Sequence, residues 1–121
     1  YRSLQRLRLE GYSPVLAHAE RYGAVRERGE SLEELTEAGV LIQLNYESLE
    51  KSWTDRNLRW CRKQLKVGRV HFLGTDMHNT SSRPPHTEKA CAWMERHLDR
   101  ETLEALCYGN AEKLLKNESI L

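Results

Sequence analysis

The chain is 121 residues long, enough for one domain and short for two. Its 19 Lys+Arg against 18 Asp+Glu give a net charge of +1, which argues against a protein that works by coating nucleic acid or an anionic membrane. Apolar residues recur in blocks between turn signals, which excludes a disordered chain, and no apolar run approaches the ~20 residues that span a bilayer.

The elements follow in order. Ser3 to Glu10 reads as a helix ending at Gly11, and Pro14 to Ala17 as a short strand. Ser31 and Glu34 form a capping box that opens a helix stopping at Gly39. Val40 to Leu44 is a β-branched-rich strand. Thr54 is placed to cap a helix with the stripe Leu58, Cys61, Leu65, closed by Gly68. Val70 to Leu73 is the third strand, with His71 a satisfied structural histidine within it. Thr87 opens a helix with Ala90, Cys91, Met94 and Leu98 on one face, and Asp99 caps the next, with Leu103, Leu106 and Cys107 inward. A last helical turn runs from Gly109-Asn110 through Leu114 and Leu115. The order α-β-α-β-α-β-α-α predicts an α/β fold with about three parallel strands and right-handed crossovers. Both edges of so small a sheet are open, so residues 1–121 read as one partial domain of a larger barrel or sheet.

Cys61, Cys91 and Cys107 are odd in number and far apart, without a CxxC pair. They read as reduced, mostly buried thiols in a cytoplasmic protein. The start, Tyr1-Arg2-Ser3-Leu4, is neither an initiator Met nor a signal peptide, so the chain reads as a piece of something longer. Trp53, Trp60 and Trp93 lie on or beside helices and are expected to pack rather than to stack on bases.

In parallel α/β folds chemistry gathers where strands end. After the first strand comes His18, with Glu20 and Arg21 behind it; after the second, Asn45; after the third, Gly74 to Asn79 and then Arg83. Asp76 and His78 form an Asp-x-His pair whose i, i+2 spacing turns both side chains the same way in an extended segment. With His18 as a third ligand, this nitrogen and oxygen set suits Mn²⁺, Fe²⁺ or Zn²⁺ better than Ca²⁺. Taken singly, each of the three is more simply a hydrogen-bonded surface or core residue. Arg21 and Arg83 read either as forks for a phosphate or as solvated arginines. No cysteine is followed six positions later by Arg: Val67, His97 and Lys113 stand there instead. There is no GxSxG, GxxxxGK[ST] or HExxH. Phosphoester hydrolysis by this protein would therefore need metal ions.

The segment Gly11-Tyr12-Ser13-Pro14-Val15-Leu16-Ala17-His18-Ala19-Glu20-Arg21-Tyr22 resembles the GYxPVxAHPERY stretch of bacterial PHP-domain (polymerase and histidinol phosphatase) tyrosine-protein phosphatases of capsule and exopolysaccharide regulation. Gln43-Leu44-Asn45 with Ser48-Leu49 is similar to their QLNxxSL, His71 to Asn79 with Arg83 to their HFxASDAHNxxxR, and Asn110 to Leu115 to their NPEKIL. The resemblance implies the C-terminal part of a distorted (β/α)₇ barrel. It implies a Mn-type metal cluster held in part by His18, Asp76 and His78. Arg21 and Arg83 become catalytic phosphate holders, and Asn45 joins them in binding substrate. The implied reaction is hydrolysis of phosphotyrosine, on an autophosphorylating tyrosine kinase of polysaccharide export. A small phosphate ester such as histidinol phosphate is the alternative substrate, and a non-catalytic metal- or protein-binding domain the alternative role. Ala19 stands where the family has proline, and the family's opening HxH pair and bridging carboxylates have no counterpart here. The chain alone is thus expected to be inactive, and to self-associate through its open edge or to be marginally stable.

Overall fold

Three short strands, β1 (Val15–Leu16), β2 (Leu41–Asn45) and β3 (Phe72–Gly74), pair in parallel in the order β1-β2-β3. They are seen in a computed structural model that describes residues 2–22, 31–75 and 87–120. Val15 lies opposite Leu41 and Leu16 opposite Ile42; Gln43 lies opposite Phe72, Leu44 opposite Leu73 and Asn45 opposite Gly74. Parallel neighbours need long crossovers. Helix α2 (Ser31–Glu37) lies between β1 and β2; α3 (Tyr46–Leu49) and α4 (Arg56–Lys66) lie between β2 and β3. Helix α1 (Arg2–Leu9) precedes the sheet, and α5 (Glu88–His97), α6 (Arg100–Glu104) and α7 (Asn110–Leu115) follow it. The expected α/β architecture is present.

Local chemistry explains the element ends. The chain turns out of α2 at Gly39, whose φ of +88° is open to glycine without penalty. A side chain there would also meet Arg8, since a Cβ would fall 2.5 Å from its Nε. The Ser31 side chain, and with it the predicted capping box, lies outside the described residues. Helix α4 starts one residue later than Thr54 predicts. Asp55 is the cap, its Oδ1 accepting from Leu58 N at 3.0 Å, and its carboxylate also suits the positive end of the helix. Asp99 caps α6 as expected, accepting from Thr102 N at 2.8 Å. Thr87 occupies the cap position of α5 without a side-chain bond. The acceptor comes instead from Glu50, whose Oε1 takes the Ala90 N–H at 3.1 Å and ties α5 to the turn after α3.

The core is built on Ile42, Leu44, Leu49, Leu58, Cys61, Leu65 and Met94, each 2% exposed or less. The predicted stripe of α4 faces it. One sequence expectation fails near the chain end. Residues Ala105–Gly109 form a π turn, wider than an α turn, so the α-periodic count no longer holds. Leu106 stays buried, whereas Cys107 is exposed rather than inward, and Cys91 is half-buried. Tyr46 hydrogen-bonds Cys107, and burial pushes the Tyr46 hydroxyl up to about 12. Trp53 is 75% exposed on the loop before α4 and does not pack. Trp93 does: His97 stacks on it with centroids 4.6 Å apart, and Arg62 and Lys66 of α4 lie over its ring at 5.1 and 5.6 Å.

Strand β3 begins later than the run Val70 to Leu73 suggests, and His71 is the reason. Its N–H donates to Ile42 O at 2.9 Å, as a strand residue would. Its ring Nδ1, however, accepts from Ile42 N at 3.0 Å, where a longer strand would present a carbonyl. Asn110 Nδ2 donates to His71 O at 2.7 Å and docks α7 on this end of the sheet. His71 is therefore the satisfied structural histidine the sequence predicts. No helix among the described residues is long and apolar enough to cross a membrane.

Candidate metal and phosphate site

The carboxyl rim of the sheet is formed by the residues that leave β1, by Asn45 at the end of β2 and by Gly74 at the end of β3. His18 reaches the rim through a left-handed backbone conformation, φ +53° and ψ +45°, which costs a non-glycine residue about 1–2 kcal/mol. Hydrogen bonds from β2 hold it there. His18 N donates to Gln43 Oε1 at 2.7 Å, and His18 Nδ1 meets Asn45 Oδ1 at 2.7 Å. Gln43 and Asn45, two apart on a strand, turn the same way. Gln43 Nε2 donates to Leu44 O at 3.0 Å and to Asn45 Oδ1 at 3.2 Å. Gly74 makes room for this amide: a Cβ there would fall 2.5 Å from Gln43 Nε2.

Behind His18 a 3-10 turn, Ala19–Arg21, tucks a carboxyl group under the rim. Glu20 is 1% exposed. Its Oε1 accepts from Asn45 N at 3.1 Å and from Ser48 Oγ at 3.0 Å, while Oε2 is buried without a partner among the described residues. Asn45 is equally buried, and its Nδ2 also lacks a partner among the described residues. Ala19, where the resemblance has proline, is fully buried. Arg21 is exposed at the end of the turn, its N–H bonded to His18 O at 2.9 Å.

Of the residues predicted for the site, the structure thus brings His18 and Asn45 into contact and sets Arg21 three residues from His18. Asp76, His78 and Arg83 lie outside the described residues, as do Asn79 and His86; β3 and Thr75 lead directly to the first of them. Gln43 and Ser48 have no site role in the sequence reading, and Glu20, which it places behind His18, is given none either. A polar Gln within an apolar strand, at i−2 from Asn45, was the available signal for the first. Two cavities among the described residues, of about 390 and 480 Å³, lie elsewhere: one is lined by α1, α2 and the residues after α2, the other by residues that include Tyr12, Leu114 and Asn117, and neither includes a rim residue.

A rim imidazole, fixed by two bonds to β2 and followed beyond β3 by a carboxylate and a second imidazole in the sequence, is a donor set that suits a borderline divalent ion. His18 fits one ligand position of such a site. Among the described residues no group of three His, Cys, Asp or Glu stands close enough to hold a metal by itself.

Fold and rim together define a parallel α/β domain that gathers its polar side chains at the carboxyl ends of its strands. The chain belongs to the capsular polysaccharide synthesis family CpsB/CapC, whose model matches residues 1–116. It is 32% identical over 123 residues to the tyrosine-protein phosphatase CpsB of Streptococcus agalactiae, covering 98% of this chain and 51% of that protein. It is 33% identical over 114 residues to the tyrosine-protein phosphatase YwqE of Bacillus subtilis, covering 94% of this chain and 44% of that one. Among solved structures it superimposes with a TM-score of 0.83 and 30% identity on a chain from work describing YwqE and Streptococcus pneumoniae CpsB as metal-dependent tyrosine phosphatases. That match covers 99% of this chain and 48% of the other. The chain spans about half the length of the curated relatives it matches.

Proposed function

We propose that residues 1–121 form the C-terminal half of a metal-dependent protein-tyrosine phosphatase domain of PHP type, which hydrolyses phosphotyrosine on a protein. The observation that carries this reading is the fixing of His18 against Asn45 at the strand rim, with Nδ1 and Oδ1 2.7 Å apart, in a chain whose relatives are tyrosine phosphatases. His18, Asp76 and His78 are the ligands this half supplies, and Mn²⁺ is the ion proposed. When bound, such an ion lowers the pKa of water and offsets charge on the phosphoryl group. Arg21 and Arg83 hold the phosphate oxygens as planar forks, so that negative charge building in the transition state meets fixed donors. Asn45 orients His18 through Oδ1 and is the third residue proposed to act on the substrate side of the site. The proposed substrate is an autophosphorylating tyrosine kinase and the proposed compartment the cytoplasm.

A second reading, a half domain that binds metal or a partner without turnover, is favoured by one observation: the described residues hold no complete ligand group. One experiment separates the readings. In a full-length protein carrying this sequence and loaded with Mn²⁺, a phosphotyrosine peptide should be cleaved and histidinol phosphate spared. Arg83→Ala should lower kcat/KM by about 2–4 kcal/mol of transition-state stabilisation while metal content is unchanged. Failure to cleave the peptide would favour the second reading.

A further inference from the structure

The hydrogen bonds at the rim contain an internal logic that begins at a group whose role is not negotiable. The backbone N–H of His18 can only donate, and it donates to Gln43 at 2.7 Å. The atom it meets is therefore the Gln43 carbonyl oxygen. The other end of that amide is then NH₂, in agreement with its 3.0 Å contact to Leu44 O, which can only accept. The NH₂ points on to Asn45 at 3.2 Å, so Asn45 must present Oδ1, an acceptor. The ring nitrogen of His18 that touches the same Oδ1 at 2.7 Å must then donate. We infer that Gln43, acting through Asn45, is a positioning residue that locks the neutral His18 ring in the Nδ1–H tautomer and makes Nε2 the unprotonated nitrogen, the one able to ligate a metal or accept a proton.

The arrangement is specific. Among the described residues nothing else sets the Asn45 amide, because its Nδ2 has no partner there. With Gln43 removed, Asn45 can rotate and offer Nδ2 to His18, which reverses the tautomer. Gly74 belongs to the same device, since a side chain there would displace the Gln43 amide. The value of the tautomer rests on reading His18 as a ligand, whereas the tautomer itself is measured without metal.

The test is long-range ¹⁵N–¹H correlation on histidine-labelled 121-residue chain, with the His18 signals identified by their loss in His18→Gln. His71 is an internal control, since its Nδ1 accepts a backbone N–H and its neutral ring must carry the proton on Nε2. Wild type should show His18 protonated at Nδ1 and His71 at Nε2. Gln43→Met, close in shape and without hydrogen bonds, should give a mixture at His18 alone. Gln43→Glu at about pH 8, where a carboxyl is ionised, should favour Nε2–H, because Asn45 turns its NH₂ to the new carboxylate. Titration with Zn²⁺ alone should show binding weakened about 10- to 100-fold in Gln43→Met. A wild-type His18 protonated at Nε2, or a Gln43→Met spectrum with the wild-type ratio, overturns the inference. Absence of Zn²⁺ binding in wild type would count against the ligand role of His18 and leave the tautomer result standing.

Discussion

Two histidines mark the two ends of the small sheet, and they are held in opposite ways. His71 stands at the entry to β3 and its ring nitrogen replaces a backbone acceptor, taking the N–H of Ile42 at 3.0 Å. His18 stands past the exit of β1 and its corresponding nitrogen faces the side-chain oxygen of Asn45 at 2.7 Å. Burial pushes the His71 ring below its ordinary 6.5, as suits a ring that must stay neutral to accept. The ring of the structural histidine is thus fastened to a main-chain N–H, which is present whatever side chain stands at position 42. The rim histidine is fastened to side chains, Gln43 and Asn45, which can be exchanged. Side-chain tethering of an imidazole, with buried polar atoms unpaired around it among the described residues, sets the rim proposed to carry the chemistry apart from the opposite end of the sheet.

The largest expected effect falls on metal binding. Calorimetry with Mn²⁺ or Zn²⁺ should find weak binding to the 121-residue chain, abolished by Asp76→Ala and untouched by His71→Leu. Equal affinity in Asp76→Ala and wild type would remove Asp76 from the ligand set and blur the contrast between the two ends. The same chain is expected to show no phosphotyrosine hydrolysis, and detectable turnover would mean that His18, Asp76, His78 and the two arginines suffice.

Stability should respond at both ends, for different reasons. Glu20→Ala leaves the N–H of Asn45 and the hydroxyl of Ser48 without their acceptor beneath the rim. A loss of about 1.5–3 kcal/mol in urea unfolding is expected, and less for Glu20→Gln, which keeps one oxygen. At the other end, His71→Leu strands the buried Ile42 N–H and should cost about 1–3 kcal/mol. His71 also sets a pH dependence. Its folded pKa lies below the unfolded 6.5, so the two states bind protons equally well above that value. As pH falls through 6.5 towards the lowered folded pKa, the unfolded chain takes up the proton first and stability declines. His71→Leu should flatten that part of the acid limb. An unchanged limb would show that the ring is not what the ladder depends on.

Much of this was legible in the sequence because it is written in local signals. The alternation of helices and strands, the stripe Leu58, Cys61, Leu65, the Asp99 cap and the structural role of His71 all follow from spacing and residue type. What was not legible depends on partners distant in sequence or on backbone geometry that departs from the regular periods. Glu50 caps α5 from 40 residues away, which no reading of Thr87 reveals. The π turn at Ala105–Gly109 breaks the 3.6-residue count and turns Cys107 outward. Asn45 was legible as a rim residue because it ends a strand. Gln43 was not, because its role appears only when the His18 backbone folds back onto β2.

The smallest expected effects come from charges with no part in either end, and they sharpen the comparison by their direction. Arg100 and Glu104 pair at 3.1 Å with side chains 91% and 50% exposed, and Lys116 and Glu112 at 3.0 Å with 59% and 63%. Both are i, i+4 pairs, but their order is reversed. Glu112 precedes Lys116, which sets the acid towards the helix start and the base towards its end, with the helix dipole. Arg100 precedes Glu104 and sits in the first turn of α6, against the dipole. Glu112→Gln should therefore destabilise more than Glu104→Gln, with both within about 0.5 kcal/mol. In about 1 M salt, where the screening length shrinks to about 3 Å, the difference should vanish. Buried contacts at the rim, such as Glu20 to Asn45 N, should be nearly indifferent to the same salt. If Glu20→Ala lost most of its effect in high salt, Glu20 would be acting as a surface charge, and the distinction between a held rim and a solvated helix face would fail.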